Sequence, residues 1–262
     1  MIENLHTHTT RCNHASGTEE EYIQQAIAAG LQVLGFSDHT PYRFPGNYVS
    51  NKRMALEDLE DYCTTVLSLK EKYADKIQIR LGLEVEYYPA LIQDLLDILK
   101  PYPIEYMILG QHCCGNQVNE PSIVRGSDDE AFLVRYCDQV IEGMQTGLFT
   151  YFAHPDLFHF MGDDTIYRRH IARLCQTAKD MQIPLEINLS GLRGGEHYPR
   201  ELFWKIAGEI GCDAVLGSDA HGPQGVVIRD AEEKALEIVD KFGLNLLEHI
   251  PVRSWRNSPL AK

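Results

Sequence analysis

Short runs of apolar residues alternate along this chain with longer segments in which apolar residues recur at helical spacing. Val33 to Phe36 is one such run, and the segment from Ala55 to Tyr73 then places its apolar side chains three or four residues apart. A run followed by such a segment predicts one β-α unit. The same pattern predicts six further strands, near Ile2 to Leu5, Ile77 to Val85, Tyr106 to Leu109, Thr150 to Ala153, Leu185 to Leu189 and Ala214 to Leu216.

Alternating strands and helices favour a parallel α/β sheet, because parallel neighbours need a crossover connection. No linker, repeat or low-complexity stretch separates the seven units, so we expect one domain over residues 1–262 with a barrel-like closure. An open doubly wound sheet is the alternative. Residues 41–51, rich in Pro, Gly, Asn and aromatic residues, predict a long loop over one end that could act as a lid.

Composition narrows the class of ligand and the compartment. The 262 residues carry a formal charge of −14, which argues against nucleic acid or an anionic membrane and favours a small ligand. The seven cysteines form no C-x-x-C pair and are predicted to be reduced, packed thiols. The first residues lack a cationic start and an apolar stretch, and no apolar run approaches the roughly 18 residues of a spanning helix. A cytoplasmic protein is expected.

Residues with metal-binding side chains recur at the predicted carboxyl ends of the strands. In a β-α barrel these ends converge on one face, where catalytic side chains usually lie. Packing alone does not explain such repetition. The positions are His6, His39, Glu84, His112, His154, Asp219 and His221.

Spacing within the strands strengthens this interpretation. His6 and His8 are two residues apart, so an extended strand points both imidazoles to the same side, and His14 follows in the next loop. Glu84 and Glu86 likewise share one face. A surface pair of histidines and a solvated acidic edge strand are the alternatives, and the latter has more weight for Glu86 than for Glu84.

Imidazoles and carboxylates without a cysteine requirement suit Zn²⁺, Mn²⁺ or Fe²⁺ and do not distinguish among them. The candidate ligands are too many for one ion, since a single ion rarely takes more than about six donors. If one carboxylate bridges two ions, they suffice for three metals with open positions for water and substrate. A polynuclear hydrolytic site is therefore predicted from His6, His8, His14, His39, Glu84, His112, His154, Asp219 and His221.

These motifs resemble the polymerase and histidinol phosphatase (PHP) family, specifically its histidinol-phosphate phosphatases. The resemblance covers nearly the whole chain, from the H-x-H at His6 through S-D-H ending at His39 and G-x-E at Glu84 to S-D-A-H ending at His221. It implies a distorted (β/α)7 TIM-like barrel with three divalent metals. The implied activity is hydrolysis of L-histidinol phosphate to L-histidinol and phosphate, in histidine biosynthesis.

The resemblance also assigns roles to individual residues. It implies one ion held by His6, His8, Glu84 and Asp219, a second held by Glu84, His112 and His154, and a third held by His14, His39 and His221. Arg193, in a Ser-Gly-x-Arg segment, is the implied phosphate clamp, with an ordinary surface arginine as the alternative. Many relatives carry Lys or Arg where this chain has His159, and Ser-Val where it has Gly110 and Gln111. The phosphate contacts are therefore expected to differ, and His159 is a second candidate for substrate binding.

Catalysis is expected to use a water bridging two ions, with Glu84 as the bridging ligand. Asp38, Asp156 or a metal-bound water would serve the leaving group, and Asp38 is equally plausible as a partner that orients a ligand histidine. Two other functions stay open: a phosphoesterase for another small phosphate or a nucleotide, and a non-catalytic metal-binding regulatory module. The sequence leaves the oligomeric state undetermined.

Overall fold

A computed structural model of the chain describes residues 1–46, 48–118 and 122–262. Strands and helices alternate along it. The strands are β1 (Glu3–Asn4), β2 (Val33–Phe36), β3 (Gln78–Val85), β4 (Tyr106–Leu109), β5 (Leu185–Asn188), β6 (Asp213–Gly217) and β7 (Asn245–Leu246). The α-helices are α1 (Glu19–Ala28), α2 (Leu59–Lys72), α3 (Ile92–Leu99), α4 (Glu130–Gln145), α5 (Asp164–Asp180), α6 (Leu189–Gly194), α7 (Glu201–Ile210) and α8 (Arg229–Phe242).

The strands form a curled parallel sheet in two hydrogen-bonded parts. The first part has the order β1-β2-β3-β4, the second has the order β5-β6-β7, and each pairing is parallel. Phe152 joins the two parts, because it pairs with Leu109 of β4 and with Leu185 of β5. Thr7, just after β1, pairs with Ala220, just after β6. The chain therefore has the parallel α/β fold that its alternating pattern predicts.

Side chains on the concave face of the sheet change from apolar to acidic along the strands. Successive strand residues point to opposite faces, so Leu83 and Val85 join the large core under the helices while Glu84 faces the interior. Glu84 and Glu186 are buried near the carboxyl ends of their strands. Below them lies a separate apolar cluster of Leu5, Val33, Tyr106, Ile108, Tyr151, Ala153, Val215 and Ile250.

Tyr106 fills the middle of this interior cluster. Its hydroxyl donates a hydrogen bond to the carbonyl oxygen of Leu5 at 2.8 Å. A Cβ at Gly82 would overlap the Tyr106 ring, and a Cβ at Gly35 would overlap the hydroxyl. The two glycines are therefore required by the close approach of this ring to β2 and β3.

Side-chain caps determine where two helices begin. The Thr18 hydroxyl accepts from the Glu21 backbone N–H, and the Glu21 carboxylate accepts from the Thr18 N–H at 2.7 Å, which makes a capping box before α1. Asn188 is the last residue of β5, and its Oδ1 accepts from the Gly191 N–H at 3.0 Å. The strand therefore passes directly into α6, the helix that carries Arg193.

Two details of the strand prediction are wrong. The predicted strand from Thr150 to Ala153 is not a regular strand, because Phe152 alone makes bridges before the backbone turns left-handed at His154. Conversely, β7 has only two residues, too few to show a periodicity. The other predicted strands are present within a few residues of the expected positions, and the segment from Ala55 to Tyr73 forms a short 3-10 turn followed by α2.

The predicted lid is a loop in the parts that the structure describes. Residues 41–46 and 48–51 contain no helix or strand, and Asn47 lies outside the described residues. Motion of this loop stays a prediction. Across the described ranges, no helix has both the length and the apolar character needed to cross a membrane.

We expect Gly82→Ala to lower the free energy of unfolding by about 1–3 kcal/mol, because the added methyl group overpacks the Tyr106 ring. The midpoint of urea unfolding measures this loss. Gly194→Ala, at the end of α6, is the control, since its Cβ would meet only the flexible Glu196 side chain. An unchanged midpoint for Gly82→Ala would contradict the packing described above.

Candidate metal centre

Glu84 lies at the centre of a cluster of imidazoles at the carboxyl ends of the strands. Its Oε1 atom is 2.8 Å from His154 Nε2 and 3.8 Å from His112 Nε2. Its Oε2 atom is 2.9 Å from His39 Nδ1 and 3.5 Å from His8 Nε2. The side chain is 1% exposed. The two oxygens of this carboxylate therefore face different imidazoles.

His6, His8 and Asp219 form one group of potential ligands beside Glu84. Asp219 Oδ1 is 3.1 Å from His8 Nε2 and 3.5 Å from His6 Nε2. One ligand atom from each of the three lies within 4.8 Å of the others, which is close enough for a shared ion. The structure thus brings together the side chains that the family resemblance assigns to the first ion.

His14, His39 and His221 form another such group, with ligand atoms within 4.8 Å of one another. The His14 ring centroid is 5.3 Å from that of His39 and 4.6 Å from that of His221. His14 Nδ1 lies 2.8 Å from the Cys12 carbonyl oxygen, so Nδ1 carries the proton and Nε2 keeps its lone pair. All nine predicted ligand side chains therefore lie in one cluster.

Two members of the cluster have left-handed backbone conformations. The φ angle is 32° at His154 and 48° at Asp219. Non-glycine residues adopt this region uncommonly, and at a cost of up to about 1–3 kcal/mol. Both residues follow the carboxyl end of an extended segment, and both turn their side chains toward Glu84 or His8. Such outliers cluster at functional sites.

Several buried atoms of the cluster have no hydrogen-bond partner among the described residues. They are His6 Nε2, His8 Nδ1 and Nε2, Glu84 Oε2, His154 Nδ1 and His221 Nε2. Each unsatisfied buried polar atom costs about 1–3 kcal/mol. Imidazole nitrogens and carboxylate oxygens are the donors that Zn²⁺, Mn²⁺ and Fe²⁺ accept, so the residues present fit a polynuclear metal centre.

The charge balance of the cluster supports the same interpretation. Burial lowers the pKa of His39 to about 3, and burial together with the charge of His8 lowers the pKa of His221 to about 4. Both imidazoles are therefore neutral, the form that binds a metal. Burial also opposes protonation of His8, but Asp219 and Asp38 outweigh it and raise the pKa of His8 to about 9. The carboxylates of Asp219 and Asp38 thus stabilise a positive charge at His8, which either a proton or a metal cation can supply.

Glu186 is a functional candidate that the sequence analysis missed. It is fully buried, and its Oε2 lies 2.8 Å from His6 Nδ1 while its Oε1 accepts from Asn188 Nδ2 at 2.8 Å. The carboxylate holds the proton of His6 on Nδ1 and leaves Nε2 toward Asp219. The sequence does contain a pattern that could have identified Glu186. This residue alternates with apolar Leu185 and Ile187 just as Glu84 alternates with its neighbours.

Glu86 does not lie on a solvated edge strand. It is 1% exposed, it forms an ion pair with Arg53, and its Oε1 lies 3.1 Å from His112 Nδ1. Burial opposes its ionisation, but the charge of Arg53 and the hydrogen bonds from His112 and Tyr88 outweigh burial and lower the pKa of Glu86 to about 2. An ionised carboxylate therefore stands behind His112.

Asp38 lies behind the cluster. It is fully buried, and its carboxylate accepts from the backbone N–H groups of Thr9 at 3.2 Å and His39 at 2.7 Å. Its Oδ1 is 3.6 Å from His8 Nδ1. Of the two roles predicted for Asp38, this position fits the one that orients a ligand histidine.

The two candidates for substrate binding have different surroundings. Arg193 is exposed on α6 beside Gly225, and no carboxylate of the described residues pairs with it. His159 stacks on His197 with ring centroids 4.2 Å apart, and it lines a separate cavity of about 230 Å³. Arg193 is therefore available to an anion and lies beside the loop that follows His221, but neither it nor His159 lines the cleft above the cluster.

That cleft has a volume of about 360 Å³. Part of its wall comes from the predicted ligands His14, His39, His112, Asp219 and His221. The rest consists of Tyr48, Asn51, Lys52, Arg53, Glu86, Cys113, Gln117, Ser122 and Val124. The predicted lid loop thus contributes to the wall through its last residues. No sequence pattern marks Lys52, Arg53 or Gln117, because loops have no periodicity to follow.

Comparison with known proteins places the chain in a family. The family model of the PHP domain matches residues 4–190. A probable histidinol-phosphatase from Deinococcus radiodurans is 31% identical over 244 residues, which cover 87% of this chain and 89% of that protein. A probable histidinol-phosphatase from Schizosaccharomyces pombe is 26% identical, with 92% of this chain and 87% of that protein covered. The chain belongs to the PHP domain family.

A solved structure shares the fold. It is the histidinol phosphate phosphatase from Lactococcus lactis, in complex with zinc, L-histidinol and phosphate. Its TM-score to this chain is 0.74 at 18% identity, with 94% of this chain and 95% of that chain covered. At this identity the likeness concerns the arrangement of strands and helices.

Asp156, a second candidate for serving the leaving group, is buried away from the cleft. Its Oδ2 accepts from the Arg200 backbone N–H at 2.6 Å and from Trp204 Nε1 at 3.0 Å. Its Oδ1 has no hydrogen-bond partner among the described residues. Burial raises the pKa of Asp156 to about 6. These contacts give it a structural place between the loop after Phe152 and α7.

We expect Asp156→Asn to stabilise the protein at neutral pH by about 1–3 kcal/mol. The raised pKa means that the folded chain holds a proton that the unfolded chain releases above a pKa of roughly 3.9. Stability contributed by this group is therefore lost as the pH rises from about 4 to about 6, and asparagine avoids the loss. Urea unfolding at several pH values measures the difference. A variant less stable than wild type at neutral pH would show that the ionised carboxylate is required.

Proposed function

We propose that this chain is a metal-dependent phosphomonoesterase that hydrolyses L-histidinol phosphate to L-histidinol and phosphate in histidine biosynthesis. The cluster around Glu84, with its buried ligand atoms that lack hydrogen-bond partners, carries the proposal. The names of relatives support the substrate, since a Bacillus subtilis histidinol-phosphatase also matches 82% of this chain at 26% identity. The cytoplasmic location stays a prediction.

We also propose that the sheet closes into a distorted (β/α)7 TIM-like barrel, in a single domain over residues 1–262. Phe152 supplies pairing between β4 and β5. On the other side, the His8 N–H donates to the Ala220 carbonyl oxygen at 2.9 Å. An open doubly wound sheet has free edges at both places, so these pairings favour the barrel. Closure explains why all nine ligand candidates converge.

Three divalent ions, Zn²⁺, Mn²⁺ or Fe²⁺, are proposed for the centre. When bound, such ions acidify a water molecule and neutralise charge on a phosphate. The first would be held by His6, His8, Glu84 and Asp219, the second by Glu84, His112 and His154, and the third by His14, His39 and His221. Glu84 is the proposed bridge because its two oxygens face two different sets of imidazoles.

The remaining residues position these ligands and the substrate. Glu186 orients His6 and Asp38 orients His8, so that their ring nitrogens face the centre. Arg193 would bind phosphate oxygens with its guanidinium fork. Neither Arg193 nor His159 lines the cleft, and we prefer Arg193 because no carboxylate of the described residues pairs with it and it lies beside the loop that follows His221. The volume of about 360 Å³ suits a small phosphate ester. A charge of −14 counts against nucleic acid as a substrate.

Phosphate release from a panel of phosphomonoesters tests this function. The panel contains L-histidinol phosphate, other small phosphate esters and nucleotides, with bis-p-nitrophenyl phosphate as the diester control and metal-replenished protein as the enzyme. We expect the highest kcat/KM on L-histidinol phosphate. A higher value on another ester would favour a different small phosphate. Metal binding without turnover of any ester would favour the non-catalytic module.

Glu84→Gln is expected to abolish turnover with the fold retained, because it removes the charge that bridges two ions. Steady-state turnover and circular dichroism check the two parts of this prediction. Glu86→Gln is the comparison variant and should be milder at saturating metal, since Glu86 reaches the centre only through His112. If the two variants lose activity in the opposite order, the bridging carboxylate has been wrongly chosen.

Arg193→Ala should lower kcat/KM for every phosphomonoester by roughly 10- to 150-fold, which corresponds to the loss of a charge-assisted contact of about 1.5–3 kcal/mol. The loss should not depend on the leaving group, because the contact is to the phosphate. His159→Ala serves as the control. A larger loss in His159→Ala than in Arg193→Ala would move the phosphate contact to His159.

A further inference from the structure

A buried ion pair lies behind His112, between the candidate metal centre and the loop that borders the cleft. Arg53 is 5% exposed and Glu86 is 1% exposed, and Arg53 Nη2 donates to Glu86 Oε1. Moving two charges out of water is costly, and apolar residues of similar volume often stabilise a fold equally well. A gain in folding stability is therefore a weak explanation for this buried ion pair. The contacts of Glu86 and Arg53 suggest a different role.

Glu86 determines which nitrogen of His112 carries the proton. Its oxygens accept from Arg53, from the Tyr88 hydroxyl and from the Cys113 backbone N–H. An ionised carboxylate can only accept hydrogen bonds, so His112 Nδ1, 3.1 Å from Glu86 Oε1, must be the protonated nitrogen. His112 Nε2 then keeps its lone pair, and it lies 3.8 Å from Glu84 Oε1, on the side of the cluster.

Arg53 extends the same network to the wall of the cleft. Its Nε donates to Gln117 Oε1 at 2.8 Å. Gln117 Nε2 donates in turn to the Tyr48 hydroxyl at 3.0 Å and lies 3.3 Å from Ser50 Oγ. An unbroken series of hydrogen bonds therefore joins His112 to Tyr48, which lines the cleft, and to Ser50, next to the cleft residue Asn51.

We propose that Glu86 and Arg53 are positioning residues with two separable effects. Glu86 holds His112 with Nε2 presented to an ion, and Arg53, through Gln117, holds residues 48–50 against the cleft that receives the substrate. The inference rests on the proposed function, because it assumes that His112 is a metal ligand. The inference adds a physical link between the ion site that contains His112 and the loop that borders the proposed substrate cleft.

The first test measures metal affinity by competition with a chelator, without any assay of turnover. Glu86→Gln should weaken one of the bound ions by roughly 10- to 100-fold, the usual effect of removing a partner that orients a ligand histidine, and leave the others unchanged. Asp94→Asn is the matched control, since it breaks the exposed Arg43–Asp94 pair, which joins the same loop to α3 and does not include Glu86, Arg53 or His112. It should leave every affinity unchanged.

The second test separates the effect on the loop from the effect on the metal. Arg53→Lys keeps a positive charge beside Glu86 but loses the bond from Nε to Gln117. We expect near-normal metal affinity, near-normal kcat, and a KM for L-histidinol phosphate raised about 2- to 12-fold, the fold-change of one typical net hydrogen bond, because the lost bond holds the loop and does not touch the substrate. A lowered kcat with an unchanged KM would overturn the role assigned to Arg53.

A double variant keeps the proposal testable if Glu86→Gln fails to fold. Arg53→Met combined with Glu86→Leu removes both buried charges, so the fold should survive while His112 loses its acceptor. One ion should again be weakened. Unchanged affinity for every ion, or an equal loss for all of them, would overturn the inference. A wild-type chain that binds its ions but hydrolyses no phosphate ester would instead refute the proposed function and the substrate-side role of Arg53, and it would leave the metal-positioning role of Glu86 standing.

Discussion

The structure depends on burying a carboxylate at Glu84 among imidazoles. An ionised group in the interior is tolerated only when other groups supply charge and hydrogen bonds. Both are supplied by other strands, because β1, β2, β4, β5, β6 and the segment around Phe152 or their extensions end around this one side chain, each with a histidine or an acid. The backbone also makes room for it: a Cβ at Gly110 would overlap the Glu84 carboxylate, and one at Gly217 would overlap that of Glu186. The apolar cluster around Tyr106 closes the interior below and keeps water from entering from that side.

Carboxylates that are not themselves predicted ligands lie behind several of the ligand histidines. Glu186 and Glu86 contact Nδ1 of His6 and of His112, and Asp38 lies 3.6 Å from His8 Nδ1. In the cases of His6 and His112, the carboxylate keeps the proton on Nδ1, so that Nε2 faces the centre. The cluster is thus built from pairs of residues on different strands. This construction explains why an overall acidic chain can still present a strongly electropositive pocket once cations are bound.

The sequence predicted the parts of this arrangement that follow a periodic pattern. Apolar runs located most strands, and residues directly beyond them, such as His6 and Asp219, were recognisable as members of one face because parallel strands end together. Short or irregular strand pairing could not be predicted from the sequence pattern. Phe152 joins two strands through single bridges, and β7 has only two residues. Glu186 had a visible signal in its alternation, but Arg53 and Gln117 did not, since their contacts join loops distant in sequence. The separation of His159 from the cleft likewise depends on packing against His197.

The central claim is that these side chains form a polynuclear metal centre, and the metal content of the purified chain tests it most directly. Protein prepared without chelator and replenished in turn with zinc, manganese and iron would be analysed for bound metal after removal of the free ions. The account predicts about three ions per chain, since the nine ligand side chains exceed the roughly six donors that one ion accepts. A stoichiometry that stays below two with every metal would contradict it.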